Sequence, residues 1–462
     1  MDHRANAGIT MQRICYPENV SSSNLNNASA SLPRSGGKPF SEQRGLLVCA
    51  LATWSTLMSL AIIISYRRAA FHGLEYPWNT FLPAPVTRFG DFFNMQSEWE
   101  IFGGLGGVGY GVSYLPAVYP FVEVLSWITT NPWTALWFVL PVFPLAAAWA
   151  IRAVVHPSNV SQFLGIFVLL VTSYPALVGF HTGNIELWIG GLLLIAAGFA
   201  SRQKWYSFAM VVGIAASFKL IPLIFLLVPL FRVSRKVFLR ISLAAALLFL
   251  LFNAAALVIL PGGVLNRGWG TVRTNIQAML ESQSMYSDLM VYSGSGVHYG
   301  HSFSNAFNAL RNEILMTPGA LWLALSLALL ALGVVALWRN RRQDLVSPFI
   351  VSGALGCLLP PTSTDYKLLY LLPALLLLLN RENTGIGTKS RVFIVVISLA
   401  VAPKPWAILH NNPFLGPPVV TAICLAALLI LSLHGGKESV GLLNRSASAT
   451  STLGGRPLDR HL

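Results

Sequence analysis

An aspartate beside aromatic residues is the first candidate for acid–base chemistry in this chain. Asp91 is flanked by Phe89 and Phe92. Partial desolvation by such rings makes a carboxylate a stronger proton acceptor, which suits a general base. A loop carboxylate that only caps a helix would have the same local sequence. Glu98 and Glu100 lie in less apolar surroundings, and we rank them second as bases.

A second group of polar residues lies between residues 181 and 222. His181, Asn184 and Glu186 precede an apolar segment, and Lys219 lies between two apolar segments, three residues before Pro222. A proline frees backbone groups of the preceding turn. A lysine beside such groups is well placed to hold a phosphate. A lysine at a helix end can also reach the membrane surface without binding any ligand, so both interpretations stay open.

Composition indicates the elements that must position these residues. Apolar residues make up 54% of the 462 residues and charged residues only 10%, whereas soluble proteins carry about 25% charged residues. Only helices or a closed barrel can cross a membrane, because every backbone group must be bonded internally. Runs such as Ile241–Leu260 and Leu321–Trp338 lack the alternation of barrel strands. The sequence therefore predicts an all-α, polytopic transmembrane bundle of about 11–12 spans, with a long first outer loop.

Charge and cysteine content exclude other protein classes. A net charge of +14 would suggest a nucleic-acid partner in a soluble protein, but cytoplasmic loops of membrane proteins collect Lys and Arg. We therefore expect membrane lipids and no nucleic acid as partners. The cysteines lack the paired spacing of a disulfide framework or a zinc site; they are Cys15, Cys49, Cys357 and Cys424.

The apolar segments divide the chain into a transmembrane domain and two tails. Residues 1–44 and 436–462 are predicted to be disordered cytoplasmic tails, and residues 45–435 to form the transmembrane domain. The long segments Arg67–Pro132 and Pro261–Thr317 are predicted to be outer loops. The predicted spans are Leu46–Tyr66, Trp133–Ile151, Val160–Phe180, Asn184–Ala200, Phe238–Leu260, Pro318–Trp338, Pro348–Leu359, Tyr366–Asn380, Arg391–Leu409 and Pro417–His434.

The segment Trp205–Phe231 decides the topology. As one span it would place most later basic loops outside, whereas two short helices that break near Lys219 and Pro222 keep them inside. With the second interpretation both termini are cytoplasmic, and the inner loops and tails hold 22 of the 31 Lys and Arg but only seven of the 17 acids. The positive-inside rule expects this asymmetry. The candidate residues then gather at the outer face, where we expect the chemistry.

The segment around Lys219 resembles glycosyltransferase family 87, whose members are integral-membrane, C-type glycosyltransferases. The resemblance rests on Gly183-Asn184 near a helix start, on the small-residue run that ends in Lys219-x-x-Pro222, and on the basic stop Arg232–Lys236. It covers roughly Leu46–Asn380, and the block from Gly183 to Lys236 is its most specific part.

Other positions follow the family less closely. Asp91 matches an acid of the family's first outer loop, and Tyr114–Pro120 looks like its Tyr-Pro-Pro segment. Arg311 follows Ser302–Asn305 much as an arginine follows the family's Asn-Gln-Ser segment. The family often has Gly-Gln where this chain has Gly-Asn. The family's Ser-Pro-x-Ser-Trp-x-His segment is replaced here by Pro360–Lys367. Asp365 and Lys367 are therefore candidates for the role in sugar recognition that the missing Trp and His would have. The alternative is that these two residues form an ion pair that only closes a helix end.

The resemblance implies transfer of a hexose from a polyprenyl-phosphate donor to a lipid- or glycan-linked acceptor, with inversion at the sugar carbon. Mannose is the sugar of the family's known example. The reaction is expected at the outer leaflet of the cell membrane, within the cell envelope. Asp91 is the expected catalytic base. The expected substrate-binding residues are Lys219, Asn184, Glu186, His181, Arg311, Asp365 and Lys367.

Two other functions are weighed against this one. A polysaccharide polymerase or ligase that uses a lipid-diphosphate donor should have a larger outer loop with paired arginines. A secondary transporter should show internal repeats and mid-membrane charges, and the sequence shows no repeat. We expect no cofactor, because no strand precedes the glycine pattern Gly104–Gly109. We expect no metal, because His298 and His301 lie among glycines that disfavour a helix.

Overall fold

The computed structural model describes an all-helical protein. The described residues are 39–72, 91–93, 115–128, 131–259, 268–270, 273, 277, 319–341, 345–360, 365–380, 388–403 and 417–433, and no strand occurs among them. The α-helices are α1 Pro39–His72, α2 Tyr119–Ile128, α3 Pro132–Val139, α4 Val142–Val154, α5 Val160–Val171, α6 Tyr174–Thr182, α7 Glu186–Ser201, α8 Trp205–Phe218, α9 Arg235–Ile259, α10 Gly319–Arg339, α11 Val346–Leu358, α12 Leu372–Leu379, α13 Thr388–Val401 and α14 Pro417–Leu433. Short 3-10 helices are Pro116–Val118, Ile221–Leu227 and Asp365–Leu371.

The described helices include segments that can cross a membrane. Gly45–Arg67, Trp133–Val154 and Arg235–Ile259 are long and apolar enough, and the bent pair α5 and α6 would add a fourth span. Other helices are shorter: α7 has 16 residues, which corresponds to about 24 Å against a hydrocarbon core of about 30 Å. The predicted all-α membrane architecture is thus confirmed, whereas the number of full crossings stays a prediction.

Two breaks in the helices fall at prolines. The predicted span Val160–Phe180 is not one straight helix, because α5 and α6 meet at an angle of 60°. Pro175 lies in the first turn of α6, where its missing N–H interrupts the hydrogen bonding of a continuous helix. The predicted break near Lys219 and Pro222 is confirmed: α8 ends at Phe218, Lys219 is extended, and Pro222 lies in the following 3-10 helix.

The helices α7 and α8 lie near the centre of the bundle. Helix α7 packs against α4 and α8, and α8 packs in turn against the long helix α9. The contact between α8 and α9 is very close at Gly213, because a Cβ atom there would lie 2.7 Å from the carbonyl oxygen of Ala245. A small residue at this position therefore allows the two backbones to touch, as is common between membrane helices.

A polar side chain in α9 holds the start of the 115–128 segment against α8. The amide group of Asn253 donates to the carbonyl oxygens of Phe249, at 2.9 Å, and Ser217, at 3.4 Å. Its oxygen accepts from the backbone N–H of Ala117 at 3.2 Å. The backbone N–H of Leu115 also donates to the carbonyl oxygen of Phe218 at 3.4 Å. These bonds occupy carbonyls at the end of α8, immediately before Lys219.

Candidate active site

Residues 91–93 form a short helical turn that carries Asp91 and packs against the helical bundle. Phe92 is buried in the core, and the ring of Phe93 packs edge-to-face against Trp133 at 5.4 Å between centroids. The rings of Phe92 and Phe93 also pack edge-to-face against each other at 5.8 Å between centroids, and Asp91 itself is half-buried.

The turn between α6 and α7 brings Asn184 to Asp91. Gly183 ends α6 with a left-handed backbone, at φ 67°, a conformation that favours glycine because it has no Cβ atom. The chain then reverses, and the backbone N–H of Asn184 donates to the carbonyl oxygen of Gly179 at 3.0 Å. Nδ2 of Asn184 donates to Oδ2 of Asp91 at 2.7 Å, so residues 93 positions apart in the sequence meet at this turn.

Asn184 is fixed from its other side by Glu186. Oδ1 of Asn184 accepts the backbone N–H of Glu186 at 2.8 Å. Because this bond requires an acceptor, it defines which end of the amide faces Asp91. Asn184 is only 1% exposed. Its role in the structure is to hold Asp91.

The side chain of Glu186 joins an ion pair and a hydrogen bond in one buried network. It is completely buried, at 0% exposure, at the first residue of α7, where the helix dipole favours an anion. Oε1 accepts from Nζ of Lys219 at 3.0 Å, and Oε2 accepts from the hydroxyl of Tyr370 at 2.8 Å. Both carboxylate oxygens are thus bonded, as a buried charge requires.

Lys219 is the partly exposed member of its ion pair with Glu186. Its side chain is 14% exposed, and its ammonium lies over the ring of Tyr366 at 5.5 Å from the centroid. Lys367 is buried and lies within electrostatic reach of both Lys219 and Glu186. The described part of the site therefore combines two lysines with the carboxylates of Asp91 and Glu186.

The structure joins some of the predicted site residues and not others. Asp91, Asn184, Glu186 and Lys219 form one path of hydrogen bonds, and Lys367 lies beside it. His181 lies in the last turn of α6, and its buried Nε2 has no hydrogen-bond partner among the described residues. Predicted positions outside the described residues are Arg311, Glu98, Glu100, His298, His301, Gly104–Gly109 and the side chain of Asp365.

Tyr370 and Asn253 are site residues that the sequence interpretation missed. Each is a lone polar residue in an otherwise apolar run. A polar group in such a run is expected to find a partner inside the bundle, and this signal was present in the sequence. In the part of the chain that the structure describes, no cluster of three His, Cys, Asp or Glu side chains could hold a metal ion.

Comparison with known proteins identifies a family for much of the chain. A family model described as Glycosyltransferase family 87 matches residues 110–361, which is more than half of the chain. The matched range contains Asn184, Glu186 and Lys219, whereas Asp91 precedes it and Tyr370 follows it. No curated protein matched the chain.

Proposed function

This chain belongs to glycosyltransferase family 87 and is a membrane glycosyltransferase, and we propose that it moves a hexose, mannose in the family's known example, from a polyprenyl-phosphate donor to a lipid- or glycan-linked acceptor. In this proposal the reaction takes place at the outer leaflet and inverts the sugar carbon. The observation that carries the proposal is the hydrogen-bond path that links Asp91 to Lys219 through Asn184 and Glu186. Such a path holds a base and a cation at a fixed separation.

Asp91 is the general base in this proposal. Asn184 bonds only Oδ2 of Asp91, and Oδ1 has no partner among the described residues. Oδ1 is therefore available to take the proton of the acceptor hydroxyl as the hydroxyl oxygen attacks the sugar carbon. The bond between that carbon and the phosphate oxygen breaks on the opposite face, and its electron pair leaves with the polyprenyl phosphate.

Lys219 stabilises the departing phosphate in this proposal. The phosphodiester of the donor carries one negative charge, and the phosphate gains a second as the sugar leaves. An ammonium in a site of low dielectric stabilises such developing charge more strongly than water does. Lys367, beside Lys219, adds a second positive charge in the same region.

The distribution of basic residues supports the proposed topology, because the inner loops and tails hold 22 of the 31 Lys and Arg. Basic residues of those loops lie over aromatic rings, an arrangement typical of side chains at a membrane interface. The pairs are Arg152 over Phe163, Arg202 over Trp149, Arg341 over Trp338 and Lys389 over Phe393. Both termini are cytoplasmic in this proposal, and the site containing Asp91 faces outside.

Asp91→Asn tests the proposal. The amide keeps the size of the side chain but cannot accept the proton, so turnover should fall by roughly 10²- to 10⁴-fold. The measurement is transfer from synthetic polyprenyl-phosphate hexoses by detergent-purified protein, with thermal unfolding to confirm that the variant is folded. Near-normal turnover would move the base to Glu98, Glu100 or Asp365. Transfer by the wild type from polyprenyl-diphosphate donors alone would instead favour the polymerase or ligase function.

A further inference from the structure

Buried polar atoms without a hydrogen-bond partner concentrate at the turn between α6 and α7. Among the described residues, nine buried side-chain nitrogen and oxygen atoms have no partner, and three of them belong to residues 181–188: Nε2 of His181, Oγ1 of Thr182 and Nε1 of Trp188. A buried polar group normally finds a partner, because leaving it unpaired is unfavourable. Three such atoms on one turn therefore require an explanation.

Thr182 differs from other hydroxyl residues at helix ends. Thr172 after α5, Ser201 at the end of α7 and Ser217 near the end of α8 each donate to a carbonyl oxygen three or four residues earlier, at 2.7, 2.9 and 2.6 Å respectively. Such a bond is a common way for a helical Ser or Thr to satisfy its hydroxyl. Thr182, the last residue of α6, is buried but makes no such bond. Its hydroxyl is therefore left for another partner.

The ring of Trp188 belongs to an aromatic cluster. Phe121 of α2 packs edge-to-face against Trp188 at 4.7 Å and against Phe218 at 5.2 Å between centroids. Trp188 follows Glu186 by two residues, and Phe218 immediately precedes Lys219. The ring of Trp188 is half-buried and its N–H is buried, although a buried indole N–H usually has a partner. The cluster thus adds an apolar wall with one donor that bonds none of the described residues.

The types of these three groups indicate the chemistry of a ligand. An indole N–H only donates, a hydroxyl donates or accepts, and an imidazole nitrogen does one or the other according to its tautomer. The hydroxyl groups of a sugar also donate and accept, and an aromatic wall suits the C–H face of a sugar ring. An isoprenoid chain would leave all three groups unpaired, and a phosphate is bound best by cationic donors. The set therefore favours a sugar.

The position of the turn relates this sugar to the proposed reaction. Asn184, in the middle of the turn, bonds Asp91, the proposed base. The hydroxyl that Asp91 deprotonates attacks the sugar carbon of the donor, so the hexose must lie within reach of Asp91. The acceptor needs to bring only one hydroxyl to the base, whereas the hexose must be held with its reacting carbon in line. Several polar groups along one turn meet that requirement.

We propose that the turn between α6 and α7 carries the subsite for the hexose of the lipid donor, in which Thr182 and Trp188, together with His181, bond the hydroxyl groups of the sugar. The inference rests on the proposed function and names residues that recognise its sugar. Because Nε1 of Trp188 is buried, a neighbouring side chain must move before a hydroxyl can reach it. In this proposal the ring of Phe121, which belongs to a separate segment, turns aside to admit the sugar.

Thr182→Val and Trp188→Phe test the subsite, because each deletes a hydrogen-bonding group and keeps an apolar side chain of related shape. The measurement is the dissociation constant of detergent-purified protein for short-chain polyprenyl-phosphate mannose, glucose and galactose, and for the same polyprenyl phosphate without a sugar. For the hexose ligand that the wild type binds best, we expect each variant to weaken binding about 3- to 10-fold, as for the loss of one hydrogen bond. The affinity for the sugar-free phosphate should stay unchanged.

Three further variants are controls. Thr182→Ser keeps the hydroxyl and should bind the hexose ligand as the wild type does. Thr172→Val removes a hydroxyl that already bonds a carbonyl oxygen, and Trp137→Phe changes an exposed ring, so neither should alter this affinity. Thr182→Val itself should not lower the melting temperature of the ligand-free protein, because the hydroxyl that it removes bonds none of the described residues.

Two results would overturn the inference. Equal weakening for the hexose ligand and the sugar-free phosphate would mean that these residues serve the phosphate, the lipid chain or the fold. Unchanged affinity for the hexose ligand in both variants would mean that the two groups bind only water. If the wild type binds no polyprenyl-phosphate hexose, the proposed function itself fails, whereas a wild type that binds one, with variants of unchanged preference for the sugar, refutes the subsite alone.

Discussion

Replacing Lys219 with Met tests whether Lys219 binds phosphate or only stabilises the fold. Met keeps the apolar stem and removes the charge. If Lys219 contacts the leaving phosphate, the transition state loses about 2–4 kcal/mol of stabilisation, which corresponds to roughly 30- to 1,000-fold in rate. The same change leaves the buried carboxylate of Glu186 without its cation, and breaking a buried ion pair in this way destabilises a protein by about 3–5 kcal/mol.

A second variant distinguishes the loss of transition-state stabilisation from the loss of folding stability. Lys219→Met combined with Glu186→Gln removes both charges, and the amide oxygen of Gln still accepts from the hydroxyl of Tyr370. We expect the double variant to recover most of the stability that Lys219→Met loses, but none of the turnover. Thermal unfolding in detergent measures the first quantity, and transfer from a polyprenyl-phosphate hexose measures the second.

The control for this experiment is Lys204→Met, at the beginning of α8. Lys204 is exposed and lies at the helix end opposite Lys219, so its replacement should change neither stability nor transfer. The reasoning is refuted if the double variant recovers turnover together with stability, because the role of Lys219 would then be only to neutralise Glu186.

Two further predictions concern the membrane fold. Gly213→Ala should lower the free energy of unfolding by about 1–3 kcal/mol, because the added methyl group overpacks against Ala245. Gly165→Ala is the control: a Cβ atom there would have its nearest contact with a leucine methyl group at 3.4 Å, so the change should be neutral or slightly stabilising. Equal effects of the two changes in thermal unfolding would contradict the close backbone contact at Gly213. In a cysteine-free background, a cysteine at position 91 should react with a membrane-impermeant maleimide added outside intact cells and one at position 204 should not; the reverse pattern would invert the topology.

Most of the helices could be predicted from the sequence because the energetic demands of a membrane are local. Long apolar runs predict helices, and Pro222 predicts the break that follows α8 at Lys219. The bend between α5 and α6 was missed because hydropathy alone treats Tyr174-Pro175 as part of one apolar run. The proline was visible, but its effect depends on whether neighbouring groups can bond the freed carbonyls.

Several candidate site residues could be predicted individually, whereas Tyr370, Asn253 and the pairing of the residues could not. Ionisable groups in apolar surroundings are unfavourable, which singled out Glu186 and Lys219, whereas Lys367 was singled out by its place in the segment that departs from the family pattern. Their partners lie far away along the chain: Asp91 is 93 residues from Asn184, and Tyr370 is 184 residues from Glu186. Such pairs depend on how the helices pack, and a single sequence contains no record of that packing.

The backbone contact between α8 and α9 also has a mechanical consequence. Gly213 touches Ala245, and the carbonyl oxygen of Ser217, one turn further along α8, accepts from Asn253, about two turns further along α9. The two helices are thus joined at two levels and resist sliding past each other. Lys219 follows directly at the end of this joined pair. If the donor is a long-chain lipid, as proposed, we expect its entry to move other elements of the bundle rather than these two helices, which stay fixed relative to each other.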